Sequence, residues 1–383
     1  MLKKLAVKSM QALVVPLILI STVFGAETIK IGTFLAVTGP ASFLGEPELK
    51  TLQLYVDKVN AKGGLLGRQV ELIHYDTEGN AHKARNFVKK LIELDKVDLL
   101  IGGSTSGASL AVIPLVEWAK IPYISLAGAV AIVDPVKKWV FKTPHTDRMA
   151  AEKIFTDMQK RGYKRIALIS GKGGFGRSGR AQARSVLDKY GLELVSDEIY
   201  GPRDHNMLAQ LKRIQSTPGV DAILNFGFGQ GPAIVTRNYH QLGIQVPLYQ
   251  SHGVASKTFV QLTGKASENV RLPATPLLLA DQLPDSNPQK KVILQYKSEY
   301  QQAYQSPVSP FGGYAYDGLM IALSAIERAG STNKHKVRAE LENTSNYVGT
   351  AGVVNMSKWD HLGLDLTAFK MLEIHEGQWI LIE

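Results

Sequence analysis

The stretch Asp98-Leu-Leu-Ile-Gly-Gly-Ser-Thr-Ser-Gly-Ala-Ser-Leu-Ala-Val-Ile-Pro-Leu-Val-Glu-Trp-Ala119 decides the fold. Asp98–Ile101 is short and mostly apolar and reads as a buried strand. Ala108–Ala119 reads as a helix. The link between them, Gly102–Ser109, is rich in glycine and serine, and glycine permits close backbone approach to a ligand. A helix start offers free N–H groups and positive potential, and Ser106 adds a hydroxyl donor. A carboxylate would be well held there. A serine that merely caps the helix fits the same residues. A strand that feeds a helix through such a turn is the building unit of a parallel sheet covered by helices.

The same alternation extends on both sides. Upstream, Ile29–Phe34 is a β-rich run. Glu46–Val59 carries apolar residues at helical spacing, Leu49, Leu52, Val56 and Val59, and stops at Lys62-Gly63-Gly64. Gln69–Tyr75 alternates as a strand, and Ala81–Leu94 is helical. Downstream, Pro122–Leu126 is a strand, and Ala127-Gly128-Ala129 exposes backbone groups beside the first turn.

The pattern then restarts. Ala150–Arg161, Arg177–Tyr190, Met207–Ile214 and Gly231–Leu242 read as helices between the strands Arg165–Ser170, Leu194–Ile199 and Ala222–Phe226. Residues 273–288 are rich in Pro, Asp and Asn and read as a linker. Two long helices follow, about Gln289–Tyr304 and Tyr314–Ala329, and the chain ends in a hairpin around Glu376-Gly377. The expected fold is therefore α/β, with two doubly wound, Rossmann-like lobes. Ligands of such sheets bind at the carboxyl ends of the strands, here in a cleft between the lobes.

The chain has 383 residues, 45% of them hydrophobic and 20% charged, which fits two lobes with real cores. It has no cysteine, so disulfides, thiolate metal sites, a cysteine nucleophile and a lipid-modified cysteine are all excluded. The formal charge is +10, but the lysine pairs Lys89-Lys90, Lys137-Lys138 and Lys290-Lys291 are scattered among acids. With no basic stripe and no interleaved aromatics, nucleic acid is not an expected partner.

Lys3, Lys4 and Lys8, the apolar run Ala12–Ile20 and the small residues before Ala26 have the layout of a cleavable signal peptide over residues 1–25. Cleavage after Gly25 puts Val23 and Gly25 at the selected positions. The apolar run, interrupted by Pro16, is too short to span a membrane. Export without a lipid anchor places the chain in the periplasm of a two-membrane bacterium.

Motifs for catalysis are missing or out of context. Gly171-Lys-Gly173-Gly-Phe-Gly176 follows a strand and precedes a helix, with Asp197 and Glu198 about twenty residues on, as in a dinucleotide fingerprint. An exported chain would have to find its dinucleotide outside the cytoplasm, so a glycine-rich turn at a ligand cleft is the better reading. No serine has glycines at both flanking positions of a nucleophile elbow, and the nine histidines make no short metal-binding pair. No enzyme activity, cofactor or metal is expected.

The segments Ile29-Lys-Ile-Gly-Thr-Phe, Thr38-Gly-Pro, Asn60-Ala-Lys-Gly-Gly, Ile101-Gly-Gly-Ser-Thr-Ser, Gly174-Phe-Gly and His252-Gly-Val-Ala carry a family resemblance over nearly the whole mature chain. It resembles the type I periplasmic solute-binding proteins of ABC importers, in the branched-chain amino acid group, including its aromatic-acid-binding members. The resemblance implies two lobes joined by three crossover strands, near 143–147, 272–276 and 349–355. Lobe 1 would comprise 26–145 plus 275–350, and lobe 2 would comprise 146–274 plus 351–383. It implies partnership with a membrane permease and action as a monomer.

The resemblance also implies site residues. The ligand carboxylate would meet Ser106, with Ala127, Gly128 and Ala129 completing that end. Leu44, Phe43, Phe175 and Phe228 would form the side walls. His252 stands where leucine-binding relatives carry a glutamate that pairs with the ligand's ammonium. A buried charge without its partner costs about 3–5 kcal/mol. Unless Glu46 substitutes, this favours a carboxylate with an apolar or aromatic body, an aromatic acid or a 2-oxo acid. Branched-chain or other apolar amino acids are the alternative.

Overall fold

The structure is a computed structural model that describes residues 27–382. The signal-peptide expectation for residues 1–25 lies outside the described residues. The first sheet is built from β1 (Ile29–Leu35), β2 (Val70–Asp76), β3 (Leu99–Gly102), β4 (Tyr123–Ser125) and β5 (Val140–Lys142), in the order β2-β1-β3-β4-β5 and all parallel. Helices α1 (Ser42–Ala61), α2 (Ala81–Glu93) and α3 (Ser106–Ala119) connect its strands. Ile29, Ile31, Leu99, Leu100, Ile101, Ile124 and Val140 are buried, as continuous apolar strands of a doubly covered sheet should be.

The chain then passes through Thr143–Thr146 into α4 (Asp147–Lys160), which Thr146 caps by accepting the Met149 N–H (3.0 Å). The second sheet contains β6 (Arg165–Gly171), β7 (Glu193–Tyr200), β8 (Ala222–Phe226), β9 (Leu248–Gln250) and β10 (Arg271–Ala274), all parallel. Its helices are α5 (Gly174–Val186), α6 (Leu208–Ser216), α7 (Gln230–Gln241) and α8 (Lys257–Thr263).

After β10 the chain returns to the first sheet with α9 (Lys290–Tyr304), α10 (Pro310–Ala329) and α11 (Lys334–Glu342), then the short hairpin β11 (Tyr347–Val348) and β12 (Val353–Val354). Residues 355–363 lie along β5, where the His361 carbonyl accepts the Lys142 N–H (3.1 Å). The chain finally adds β13 (Lys370–His375) and β14 (Gln378–Leu381) antiparallel to the edge of β10, giving the order β14-β13-β10-β9-β8-β6-β7. The fold is that of two α/β lobes built on parallel sheets, as the strand–helix alternation predicts.

Three local readings change. Residues 273–288 are not a bare linker, because Pro273 and Ala274 close β10 and a 3-10 run occupies Pro276–Gln282. Helix α1 begins at Ser42, four residues before the expected start, and carries Pro47 inside it. Helix α10 begins at Pro310, capped by Ser309, whose Oγ accepts the Phe311 N–H (3.2 Å). Those extra turns of α1 and α10 bring Leu44 and Phe311 to the cleft.

Candidate functional site

The cleft between the sheets closes over a cavity of about 40 Å³. That is several times the ~10–15 Å³ that a single water needs. Its walls come from four places. The turn after β3 and the start of α3 supply Ser104, Thr105 and Ser106, and the turn after β4 supplies Leu126 and Gly128. The second lobe supplies Phe175, Phe228, His252 and Gly253. Leu44, Pro144, Phe311 and Tyr314 complete the enclosure.

The polar end is the α3 N-terminus. Thr105 is its cap, with Oγ1 accepting the Ala108 N–H (3.3 Å), so Ser106 is the first helical residue and not the cap. The N–H groups of Ser106 and Gly107 precede the first possible intrahelical bond and point outward. Ser106 Oγ accepts the Ala129 N–H (3.2 Å), which leaves its own O–H to donate into the cavity.

That bond corrects one expectation. Ala127 and Ala129 are buried and do not line the cavity. Their N–H groups are already taken, Ala127 by Ser125 Oγ (3.3 Å) and Ala129 by Ser106 Oγ. Gly128 between them does line it. A Cβ there would come within 2.8 Å of the Phe175 ring and 3.0 Å of His252 Nε2, so the position has no room for a side chain. The contact joins the lobes. A second meeting point lies at Gly174, where a Cβ would sit 2.9 Å from the Gly107 nitrogen. The described arrangement is closed.

Leu44, Phe175, Phe228 and His252 stand on the cavity wall as expected from the sequence. Phe43 does not. It lines a neighbouring cavity of about 240 Å³ with Gln230, Val254 and Phe259, and its ring is 5.6 Å from that of Phe311 and 6.4 Å from that of Phe228. Glu46 is also elsewhere. Its carboxylate pairs with Lys50 at 2.6 Å on the exposed side of α1.

His252 is buried with Nδ1 unpartnered among the described residues. Its ring meets Phe175 edge-on at 5.2 Å. Burial, reinforced by the nearby Lys142, pushes its pKa down to about 3. It is therefore a neutral donor or acceptor at the cavity. Lys142, also buried, donates to the Pro144 carbonyl (2.7 Å) and the His145 carbonyl (3.2 Å), and burial pulls its pKa down to about 7. These bonds tie the end of β5 to the first passage between lobes.

Sequence reasoning missed Ser104, Thr105, Leu126, Pro144, Gly253, Phe311 and Tyr314 on the wall, and Glu48 behind it. Glu48 is fully buried, and Ser104 Oγ donates to its Oε2 at 2.5 Å. The signal was present: Leu44, Glu48, Leu52 and Val56 recur every four residues on the buried face of α1. An acid inside an apolar stripe marks a buried carboxyl.

The glycine-rich turn after β6 is explained by packing. A Cβ at Gly176 would lie 2.1 Å from the Gly171 carbonyl, and one at Gly179 would lie 2.1 Å from the Phe226 ring. The acids that a dinucleotide ribose would need are occupied. Asp197 accepts two bonds from Arg180 (both 2.7 Å) and one from Arg184, and Glu198 accepts two from Arg213 (2.8 and 2.7 Å). Among the described residues no group of three or more metal-ligating side chains comes together, and no helix is long and apolar enough to cross a membrane.

Known proteins share this architecture. The chain is 22% identical over 349 residues to the leucine-, isoleucine-, valine-, threonine- and alanine-binding protein of Pseudomonas aeruginosa, covering 90% of each chain. An extracellular ligand-binding receptor from Rhodopseudomonas palustris HaA2 superposes with a TM-score of 0.86 at 27% identity, over 93% of this chain and 100% of that one. The branched-chain amino acid transporter substrate-binding protein LivJ from Streptococcus pneumoniae, solved with isoleucine, superposes with a TM-score of 0.81 at 23% identity, over 93% and 99%. The family model described as periplasmic binding protein matches residues 28–369, and the chain belongs to that family.

Proposed function

We propose that this protein is the ligand-binding receptor of an ABC importer, that it has no enzymatic activity, and that it closes its lobes on a small apolar amino acid. Supporting this reading is the placement of the Ser106 hydroxyl, at the start of α3, at one end of a cavity whose other walls are largely apolar and come from both lobes. Such an end suits a carboxylate. The amino-acid class is supported by the relative in Pseudomonas aeruginosa and by the isoleucine-bound neighbour. Binding favours the closed form by its differential contacts with both lobes, and a membrane permease reads that form. The receptor works as a monomer, delivered to the periplasm by residues 1–25 and not lipid-anchored.

A second reading is favoured by one observation. No acidic side chain lines the cavity, and neutral His252 stands on its wall. A carboxylate without an ammonium group, an aromatic acid or a 2-oxo acid, suits such a wall.

A thermal-shift panel of leucine, isoleucine, valine, benzoate-type acids and branched 2-oxo acids separates the two. Stabilisation by the amino acids is the expected result. Stabilisation by the acids alone would transfer the assignment to the second reading, and turnover of any bound compound would overturn the receptor itself.

A further inference from the structure

Ser104 lies on the cavity wall, just before the cap of α3. Its oxygen accepts the Ala36 N–H (3.0 Å), and its proton goes to Glu48 Oε2 (2.5 Å). A hydroxyl has one donor and two acceptor sites, so one lone pair of Ser104 is left for the cavity. Behind it, the Glu48 carboxyl is entirely shielded from solvent, and its Oε1 has no hydrogen-bond partner among the described residues. A buried carboxyl that is half satisfied, with a hydroxyl between it and a ligand cavity, is costly unless a ligand completes it.

We propose that Glu48, acting through Ser104, supplies the counter-charge for the ammonium group of the bound amino acid. The proposal rests on the amino-acid reading above. Burial raises the Glu48 pKa well above the usual carboxylate range, against the weaker opposing effect of the Ser104 bond. A carboxyl so buried, with one oxygen unpartnered among the described residues, is proposed to hold its proton until a ligand arrives. When the ligand enters, one ammonium N–H bonds to the free lone pair of Ser104. The Glu48 proton leaves to water, and the resulting carboxylate accepts the Ser104 O–H. One proton is released for each zwitterion bound. An acid with no ammonium leaves Glu48 protonated and releases none.

The surroundings are simple. The Tyr123 phenol, which donates to the Gly102 carbonyl (3.1 Å) and lies 2.9 Å from Ser109 Oγ, is a titratable group coupled electrostatically to Glu48. On the same helix, Glu46 and Lys50 pair with each other at the surface. Glu48 is thus a positioning residue that acts through Ser104. Its role differs from structural packing in that it moves a proton.

The test is isothermal titration of the full mature chain with leucine near neutral pH, in phosphate and in Tris, whose different ionisation heats count the protons exchanged. The wild type should release about one proton per leucine bound. Glu48→Gln keeps a neutral side chain whose carbonyl can still accept the Ser104 O–H. It should keep its fold and melting behaviour, bind leucine roughly tenfold or more weakly, and show no proton release. Ser104→Ala should lose the release as well. Leucine binding to the wild type without proton release, or with the same release in Glu48→Gln, would overturn the proposal and leave the amino-acid reading standing. Binding of aromatic or 2-oxo acids with no binding of any amino acid would overturn both.

Discussion

Gly174 on the second lobe faces Gly107 on the first, so closely that a Cβ on Gly174 would lie 2.9 Å from the Gly107 nitrogen. Both glycines sit at the starts of helices, α5 and α3, and the seam between the lobes passes between them. Nothing softer than backbone lines this point, so a side chain there cannot be accommodated by turning aside.

Gly174→Ala is therefore expected to hold the cleft slightly open. The ligand-free melting temperature should stay close to that of the wild type, while ligand affinity falls about tenfold, which is about 1.4 kcal/mol. Titration calorimetry measures the affinity, and small-angle scattering with and without ligand measures the failure to close. Unchanged affinity would show that closure tolerates a wider seam.

His252→Glu places an acid on the cavity wall. With Lys142 close enough to depress the histidine, the new carboxylate gains a partner cation. Binding of acids without an ammonium group should be lost through like-charge repulsion, and leucine affinity should rise. Competition between leucine and a benzoate-type acid reads both at once. Retained acid binding would remove His252 from the list of ligand contacts.

Lys142 is fully buried, with a pKa lowered to about 7 from its ordinary 10.5. Between those values the unfolded chain holds a proton that the native chain has released. Stability from this group therefore rises as pH climbs from about 7 to 10. Lys142→Met should flatten that part of the stability–pH profile, measured by denaturant unfolding at several pH values. A profile with the wild-type slope would contradict the assignment.

Asp317 on α10 receives the Thr350 N–H (2.7 Å), the Ala351 N–H (2.9 Å) and the Thr350 hydroxyl (3.2 Å). It clamps the turn of the β11–β12 hairpin from inside the core. Asp317→Ala strands those donors in a buried place, and each stranded donor costs about 1–3 kcal/mol. Chemical unfolding should show a loss in that range or larger, with hydrogen exchange at Thr350 and Ala351 accelerated. Wild-type stability would show that the turn is held by other groups.

Much of the molecule was legible in the sequence. The strands β3, β6 and β8 announce themselves because a sheet covered on both faces favours short apolar runs, while β1 was legible from its β-rich composition, and the turns after them carry the glycines that close packing requires. Ser106 was offered by the turn on which it sits, whereas Phe175, Phe228 and His252 came only through the family resemblance. Phe43 and Leu44 show where such reasoning stops. They are adjacent in sequence, but neighbours on a helix point about 100° apart, and here Leu44 turns to the closed cleft while Phe43 turns to the neighbouring cavity. The early start of α1 was hidden by Pro47, which reads as a helix opening and lies instead in its second turn. Glu48 was hidden by its charge, which suggests a solvent face until its spacing from Leu44 and Leu52 is counted.

The strand order has a consequence for the time course of folding. Thr51 and Tyr296 share a buried hydrogen bond (2.8 Å) across 245 residues of chain, and β10 is bordered by β13, which lies about a hundred residues further on. Neither lobe is finished by the segment that begins it. The first waits for α10 and the second for the last two strands. Contacts of such long sequence separation form slowly. The first half therefore completes its core only after α10 has emerged, and the second only after the last two strands, so both finish when most of the chain is already present.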